Sequence, residues 1–367
     1  MLTFNAILAH LYVDVNTGKT TQVPQLVLDD YIERGCGALC NIIVTQPRRI
    51  SAVSVAEQIA RERVEKVGLS VGYHIRLEAV KSASTRLLLM TTGVLLRKLQ
   101  ADDCNLEGVS HIFVDEVHER DINTDFLLIV LKKMLSINPH IKIILMSATL
   151  NADLFIDYFR NNDESSNDSI SCALISIPGR AFPVNDFYLE DVLEQTGFEI
   201  DAGSDYAIKS SSKSSSKQGA SKGQAQSANE KEYRKTLAEK HQREQHIANL
   251  RKQKKYSDKT LNSLLIADES IVNLDLIQKL VVHILTLDNT VVSGDNVGAI
   301  LIFVPGLADI RSVIDILNER PEVSNSNSKV KVFPLHSSLS SQEQSRVFQI
   351  LPHGARKIIV STNIAGL

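Results

Sequence analysis

The stretch Thr17-Gly18-Lys19-Thr20-Thr21 has the composition of the second half of a phosphate-binding loop. A glycine at this point lets backbone N–H groups approach phosphate oxygens, and the lysine brings a positive charge to the β- and γ-phosphates. The hydroxyl of Thr20 is of the kind that binds Mg²⁺ in such loops. A strand-like segment precedes these residues and a helix-like segment follows them, which favours a nucleotide site.

The first half of this loop departs from the motif. The pattern G-x-x-x-x-G-K-[ST] requires a glycine at the position that Val13 occupies. A side chain there, together with the carboxylate of Asp14, opposes the close approach of a phosphate. The residues alone leave three readings open, which are a nucleotide site that has lost a glycine, a chance match, and a chain that begins within the motif.

Two adjacent acids, Asp115 and Glu116, follow the apolar run HIFV. In a site for phosphate chemistry, one acid holds Mg²⁺ while its neighbour orients or deprotonates the attacking water. An acidic loop after a strand is the alternative, and the pair alone does not decide between them. The following His118 and Glu119, with the phosphate-loop residues upstream, favour the catalytic interpretation.

Small polar or basic residues follow the ends of other apolar runs. Arginines, hydroxyls and free N–H groups at such positions suit contacts with a sugar–phosphate backbone and carry no base-reading code. Solvated turns and helix N-caps are the alternatives. These candidates are Arg48, Arg49, Thr92, Gly93, Ser337 and Thr362. Ser147 and Thr149 also follow an apolar run, and they could connect the nucleotide site to a neighbouring domain.

Seven short apolar runs must position these residues. They are β-branched and continuous, as expected for strands buried on both faces of a parallel sheet, and they span 40–46, 85–91, 110–116, 141–147, 298–304, 329–335 and 356–362. Ser51–Lys66 and Asp125–Leu135 have helical spacing, with Ser51 as the expected N-cap. This alternation predicts an α/β fold with a doubly wound parallel sheet, whose ligands lie beyond the carboxyl ends of the strands.

The charge distribution separates two such regions. The chain of 367 residues has a net charge of −3, yet Lys209 to Lys259 contains 14 Lys/Arg and 5 Asp/Glu. From about Gly203 to Asp258 the sequence is rich in Ser, Lys, Gly and Gln, which predicts a disordered basic insert. Its second half, 229–255, is polar all round and could form a solvated helix.

The cysteines and the apolar segments argue against a disulfide-bonded, secreted or membrane-spanning protein. The four cysteines form no paired C-x-x-C set, so we expect reduced thiols rather than disulfides or a metal site. No apolar run is long enough to span a membrane, and the first residues lack the basic region of a signal peptide. We therefore expect no membrane partner and a cytoplasmic location; the sequence leaves the oligomeric state open.

Taken in order, the motifs resemble those of the DEAH-box (DExH) RNA helicases of superfamily 2. The matching stretches cover about 12–195 and 272–365 and read TGKTTQVPQ, TQPRRISA, STRLLLMTTGVLLRKL, VDEVHER, LMSATL, IPGRAFPV, LIFVPG, LHSSLSSQEQ and STNIA. The presence of Val117 makes the central motif DEVH rather than DEAH, which is a mild departure.

The resemblance implies two RecA-like domains with ATP, or another nucleoside triphosphate, bound together with Mg²⁺. By motif match, Lys19 and Thr20 bind phosphates and Mg²⁺, Asp115 serves Mg²⁺, Glu116 serves the attacking water, and His118 couples hydrolysis to domain movement. The same match assigns coupling to Ser147 and Thr149, and RNA backbone contacts to Arg48, Arg49, Thr92, Gly93, Ser337 and Thr362. The implied domains are 1–195, an insert at 196–270, and an incomplete second domain at 271–367.

Two points of the resemblance bear on activity. The family's arginine-rich Q-R-x-G-R-A-G-R motif is not in this sequence, so we expect a helicase fragment that does not hydrolyse ATP by itself. Within the family, stretches such as FYLEDVLEQTGFEID are most similar to a ribosome-associated member that helps the small ribosomal subunit scan structured leaders. Translation initiation, with the small subunit and initiation factors as partners, is therefore one expectation. A catalytically dead RNA- or ribosome-binding module that uses the basic insert is the alternative.

Overall fold

A computed structural model describes residues 6–8, 18–101, 106–138, 140–147, 152–160, 172–175, 177, 183–208, 241–290, 298–324 and 329–363. The chain divides into two units, Met1–Pro183 and Val184–Gly366. Of the candidate site residues, Thr17 and Thr149 lie outside the described part of the chain, as do the departing residues 13–16 of the phosphate loop.

The first unit contains a sheet of eight strands. The strands are β1 (Ala6–Leu8), β2 (Ile42–Gln46), β3 (Val71–Ile75), β4 (Glu78–Val80), β5 (Leu87–Thr91), β6 (His111–Val114), β7 (Lys142–Leu145) and β8 (Cys172–Leu174). Their order across the sheet is β4-β3-β5-β2-β6-β7-β1-β8. All neighbouring pairs are parallel except β3 and β4. Most carboxyl ends therefore meet at one edge, where ligands bind in such folds.

Helices cover both faces of this sheet. They are α1 (Lys19–Glu33), α2 (Arg49–Glu62), α3 (Thr92–Ala101), α4 (Ile122–Ile137) and α5 (Ala152–Arg160). Successive residues of a strand point to opposite faces, so Phe113 joins the core under α1 and α2 while Ile112 joins the core under α3 and α4. The two apolar layers explain why β2 and β6 are buried along their whole length.

The second unit contains a three-stranded parallel sheet and a group of helices. The strands β9 (Ile300–Phe303), β10 (Val330–Leu335) and β11 (Arg356–Ser361) lie in the order β10-β11-β9. The helices are α6 (Leu189–Thr196), α7 (residues 241–253), α8 (Asp258–Ile266), α9 (Leu274–Thr290), α10 (Leu307–Asn318), α11 (Pro321–Ser324) and α12 (Ser341–Ser345). Residues of α9 and α10 pack against Ile358 and Val360 of β11.

The structure confirms the predicted α/β class and all seven predicted strands. One sequence expectation is wrong. Ser51 is not the N-cap of α2, because the helix begins at Arg49 and extended Arg48 precedes it. Within the predicted insert at 196–270, α7 and α8 contribute Ile247, Leu250, Leu261 and Leu264 to a shared apolar core.

Two further observations concern the expected class of protein. Within the described ranges, no helix has the length and apolar character needed to cross a membrane. Cys36, Cys40 and Cys172 form no disulfide bond.

Candidate nucleotide and metal site

The first turn of α1 begins directly after Gly18. This glycine is the N-cap residue, with φ 68° and ψ 19°, a left-handed conformation that residues with a Cβ rarely adopt. A Cβ at this position would lie 3.3 Å from both Gln22 Cγ and Thr21 Oγ1. The backbone geometry therefore favours glycine at position 18. The helix that begins after it places the positive end of its dipole beside Lys19 and Thr20.

The side chain of Thr20 meets the first of the two acids. Thr20 Oγ1 donates a hydrogen bond of 2.6 Å to Asp115 Oδ2, and Gln46 Nε2 donates one of 2.8 Å to the same oxygen. The other oxygen, Oδ1, accepts a bond of 2.9 Å from the backbone N–H of Glu116. The hydroxyl oxygen of Thr20 and the carboxylate of Asp115 therefore lie side by side. Mg²⁺ prefers hard oxygen ligands of these kinds.

Asp115 is only 2% exposed, since β6 ends at Val114 inside the sheet. Its own N–H donates to the carbonyl of Thr45 in the neighbouring strand. Desolvation raises the pKa of Asp115, and the donors Thr20 and Gln46 and the charge of Lys19 oppose that rise. A cation bound at this carboxylate would offset the cost of burying its charge.

Glu116 lies between a cation and an imidazole. Its Oε1 is 3.8 Å from Lys19 Nζ, and its Oε2 is 3.3 Å from His118 Nδ1. Burial, followed by the charge of Asp115, raises the pKa of Glu116 to about 7, although Lys19 acts in the opposite direction. A carboxylate with a pKa near neutrality is suited to take a proton from water.

The backbone after these acids turns sharply. Glu116 and Arg120 have φ of 53° and 50°, and the short 3₁₀ helix Val117–Glu119 lies between them. Val117 is fully buried and donates its N–H to the carbonyl of Met146, the residue before Ser147. This contact holds His118 beside the end of β7. Desolvation lowers the pKa of His118, so the neutral imidazole is favoured.

The residues expected to contact RNA in the first unit lie at the same edge of the sheet. Arg48 Nη2 makes an ion pair of 2.8 Å with Glu119 Oε1. Thr92 is 3% exposed, and its hydroxyl donates to the carbonyl of Gln46 at 3.3 Å. A Cβ on Gly93 would meet no atom within 4 Å, so the backbone there is open. Arg49 is half-buried in the first turn of α2.

In the second unit, Ser337 and Thr362 follow the ends of paired strands. Leu335 and Ser361 are partners in the register of β10 and β11, so both candidates lie at the carboxyl edge of that sheet. Ser337 is exposed, whereas Thr362 is 9% exposed. Contacts of either residue with RNA stay a prediction.

Two contacts of the site were not predicted from the sequence. Gln46 was expected only as the last residue of a strand, yet its amide donates to the buried acid Asp115. Glu119 pairs with Arg48, which was expected to act on RNA only. The signal for Gln46 was available, because a polar side chain at the end of a fully buried strand needs an internal partner.

Two family models match this chain. The model described as "DEAD/DEAH box helicase" matches residues 4–155, and the model described as "Helicase conserved C-terminal domain" matches residues 277–367. The first range includes the described phosphate-loop residues and both acids.

Individual relatives match almost the whole chain. DHX57 from Homo sapiens is 45% identical over 365 residues, which cover 95% of this chain and 25% of that protein. The DExH-box ATP-dependent RNA helicase DExH1 from Arabidopsis thaliana is 43% identical, covering 96% of this chain and 32% of the relative. The ATP-dependent RNA helicase DHX29 from Mus musculus is 39% identical, covering 96% and 25%. The chain thus spans between a quarter and a third of the length of these relatives.

Proposed function

This chain belongs to the DEAD/DEAH box helicases, and we propose from this premise that it forms the nucleotide-hydrolysing core of an ATP-dependent RNA helicase. One observation carries the proposal. The Thr20 hydroxyl and the Asp115 carboxylate, far apart in sequence, meet at 2.6 Å directly beside Lys19 and Glu116. That grouping supplies a phosphate contact, oxygen ligands for Mg²⁺ and a proton acceptor within one small region.

The residues present suit ATP and Mg²⁺. Gly18 has the backbone conformation that a phosphate cradle needs, and Lys19 is the cation beside it. Thr20 and Asp115 would hold Mg²⁺, which supplies positive charge to stabilise the phosphate oxygens. Glu116 would orient water and accept its proton, while Lys19 and His118 hold the two oxygens of its carboxylate. Thr17 and Thr21 belong to the same proposed loop, and other nucleoside triphosphates are proposed as alternative substrates.

RNA binding is proposed at the carboxyl edges of both sheets. Arg48, Arg49, Thr92 and Gly93 are the candidates in the first unit, and Ser337 and Thr362 are those in the second. Hydroxyls, arginines and open backbone recognise phosphate and sugar rather than bases, so we propose binding without sequence preference. We further assign Ser147 and Thr149, with His118, to the coupling of hydrolysis to domain movement.

A finer proposal concerns the biological process. We propose a cytoplasmic role in translation initiation on structured leaders, with the small ribosomal subunit and initiation factors as partners. Its support is the resemblance of the stretches DEVHER and FYLEDVLEQTGFEID to a ribosome-associated family member. Overall identity does not add support to this choice, because this chain is 45% identical to human DHX57 and 39% identical to mouse DHX29.

The first test is nucleotide binding by the purified chain. A fluorescent ADP analogue is titrated in Mg²⁺ and in EDTA, with Lys19→Ala as the site variant and Lys66→Ala, an exposed lysine of the same unit, as the control. We expect Mg²⁺-dependent binding that Lys19→Ala weakens about tenfold or more, because a charge-assisted phosphate contact is lost. Weak binding that ignores both Mg²⁺ and Lys19 would contradict the proposal.

Hydrolysis is measured next, with and without single-stranded RNA, beside Glu116→Gln as the blank. RNA-stimulated turnover above the blank supports the helicase core and overturns the expectation that this chain cannot hydrolyse ATP by itself. RNA binding that falls steeply with salt and ignores nucleotide favours the RNA-binding module instead.

A further inference from the structure

Gln46 lies at the last position of β2, between the candidate metal site and the candidate RNA contacts. It is 3% exposed, and its Nε2 donates to Asp115 Oδ2 at 2.8 Å. The same carboxylate oxygen accepts the hydroxyl of Thr20 at 2.6 Å. Gln46 therefore helps to fix the orientation of the carboxylate that would hold Mg²⁺.

The backbone of Gln46 is bonded on its other side. Its carbonyl accepts the hydroxyl of Thr92 at 3.3 Å, and Gln46 pairs with Thr91 in the register of β2 and β5. On the opposite edge of β2, Thr45 pairs with Val114, the residue before Asp115. A single residue thus contacts both the strand end that carries Thr92 and the acid that follows β6.

The chain after Gln46 continues this connection toward Arg48. Pro47 has a fixed φ, which removes one backbone rotation between Gln46 and Arg48. Arg48 is in turn bonded to Glu119 at 2.8 Å, in the loop that follows Asp115. The loops after β2 and β6 are therefore joined at two points, one buried and one half-exposed.

A buried amide at a strand end could simply satisfy its own hydrogen bonds. Here, however, the donor of Gln46 is used on an ionisable acid of the site, and the carbonyl of the same residue is used by a candidate RNA contact. A phosphate at Arg48 would compete with Glu119 for the guanidinium, two residues along the chain from the amide that bonds Asp115. In a buried network few alternative hydrogen-bond partners are available, so displacing the Gln46 amide would leave polar groups unpaired at a cost in free energy.

We propose that Gln46 is a positioning residue that couples RNA bound at Arg48 and Thr92 to the orientation of the Asp115 carboxylate, and hence to Mg²⁺-dependent nucleotide binding. This inference rests on the proposed function. The coupling is reciprocal, so bound nucleotide changes RNA affinity by the same factor by which RNA changes nucleotide affinity.

The test measures that factor on the full chain. A fluorescein-labelled single-stranded oligouridine is titrated in the presence and absence of saturating Mg²⁺–ADP, and the ratio of the two Kd values is the coupling factor. The main variant is Gln46→Met, which keeps the volume of the side chain and removes its donor. The control is Gln278→Met, which removes a similarly buried amide that donates to Ile316 in the second unit. Circular dichroism confirms that each variant is folded.

For the unmodified chain we expect a coupling factor of about 5 to 150 in either direction, the usual range for allosteric coupling. In Gln46→Met it should fall to within about twofold of one, while RNA affinity without nucleotide stays nearly unchanged. Gln278→Met should retain the full factor. Thr92→Val, which removes the bond on the other side of Gln46 and leaves Asp115 untouched, should also lower the factor.

Three results overturn the inference. A full coupling factor in folded Gln46→Met would refute it alone and leave the proposed function intact. Loss of coupling in Gln278→Met as well would show that any buried amide has this effect. If the unmodified chain binds no Mg²⁺–ADP, the proposed function fails and the inference fails with it.

Discussion

The hydroxyl of Thr20 donates a hydrogen bond of 2.6 Å to Oδ2 of Asp115, which lies 95 residues further along the chain. The two residues come from different elements, since Thr20 is in the first turn of α1 and Asp115 follows β6. Their contact exists because β6 carries Asp115 to the edge of the sheet at which α1 begins.

Asp115→Asn should separate function from stability. Burial raises the pKa of this carboxyl, so the charged form is costly in the fold, and asparagine removes the charge with little change in shape. We expect the affinity for Mg²⁺–ADP to fall about tenfold or more, since the metal loses a carboxylate ligand. Thermal unfolding should show a melting temperature equal to or above that of the unmodified chain.

The two measurements are a fluorescent-ADP titration in Mg²⁺ and a thermal melt followed by circular dichroism. Unchanged affinity in Asp115→Asn would show that this carboxylate is not a metal ligand. A much lower melting temperature would show that its charge contributes to the fold.

Arg48→Ala should weaken RNA binding and reduce its dependence on salt. Removing one phosphate contact lowers the magnitude of the slope of log K against log salt by about one, with similar effects on all sequences. Arg34→Ala is the matched control, because Arg34 also pairs with an acid, Asp30, but lies at the far end of α1. Filter binding over a range of salt concentrations measures both quantities.

The ion pair between Arg48 and Glu119 allows a variant that should strengthen RNA binding rather than weaken it. Glu119→Gln removes the competing carboxylate at 2.8 Å from Arg48, so RNA affinity should rise slightly. An unchanged salt slope in Arg48→Ala, or equal losses in Arg34→Ala, would argue against a phosphate contact at Arg48.

His111 should make the fold less stable in mild acid. The ring is buried, with Nδ1 2.8 Å from Ser110 Oγ and an edge-on contact with Tyr31, and desolvation lowers its pKa to about 4. The unfolded chain has the ordinary pKa of about 6.5 and therefore binds a proton first as the pH falls. Stability is fully present above about pH 6.5 and is lost as the pH falls toward 4, by about 3 kcal/mol at most.

Urea unfolding at several pH values between 7 and 4.5 tests this sign. His111→Asn should have a flatter dependence of the unfolding free energy on pH, whatever its absolute stability. His140→Asn, at an exposed position of the same unit, should behave like the unmodified chain. If both variants retain the full dependence, His111 is not its source.

The buried centre of the fold was predictable because its strands consist of continuous apolar residues. β2, β6 and β7 each have this pattern, and each was expected from the sequence. The missed strand Val71–Ile75 contains Gly72 and His74, and it pairs on one side with the short antiparallel strand Glu78–Val80. Mixed polarity in a strand near the edge of the sheet gives no continuous apolar run.

The motif residues of the candidate site were predictable from the sequence, but the hydrogen bonds and ion pairs that join them were not. The sequence predicted that Thr20 and Asp115 act together, because the motifs imply the same ligand. It did not predict that Gln46 bonds the acid or that Glu119 pairs with Arg48. Such contacts depend on which strands are neighbours, and the order of strands in a sheet is not written in local patterns. The Ser51 error has a similar source, since a serine near a helix start resembles a cap whether or not it is buried in the first turn.

The left-handed backbone of Glu116 has a cost that any variant library would reveal. At φ 53°, glutamate is less favourable than glycine by about 1 kcal/mol or more, because its Cβ crowds the following carbonyl. Glu116→Gly should therefore raise the melting temperature and, on the proposed role of Glu116 as proton acceptor, abolish hydrolysis. Selection for thermal stability alone would remove the acid from this position, whereas selection for the proposed hydrolysis would retain it. Position 116 is therefore a site at which thermal stability and the proposed activity favour different residues.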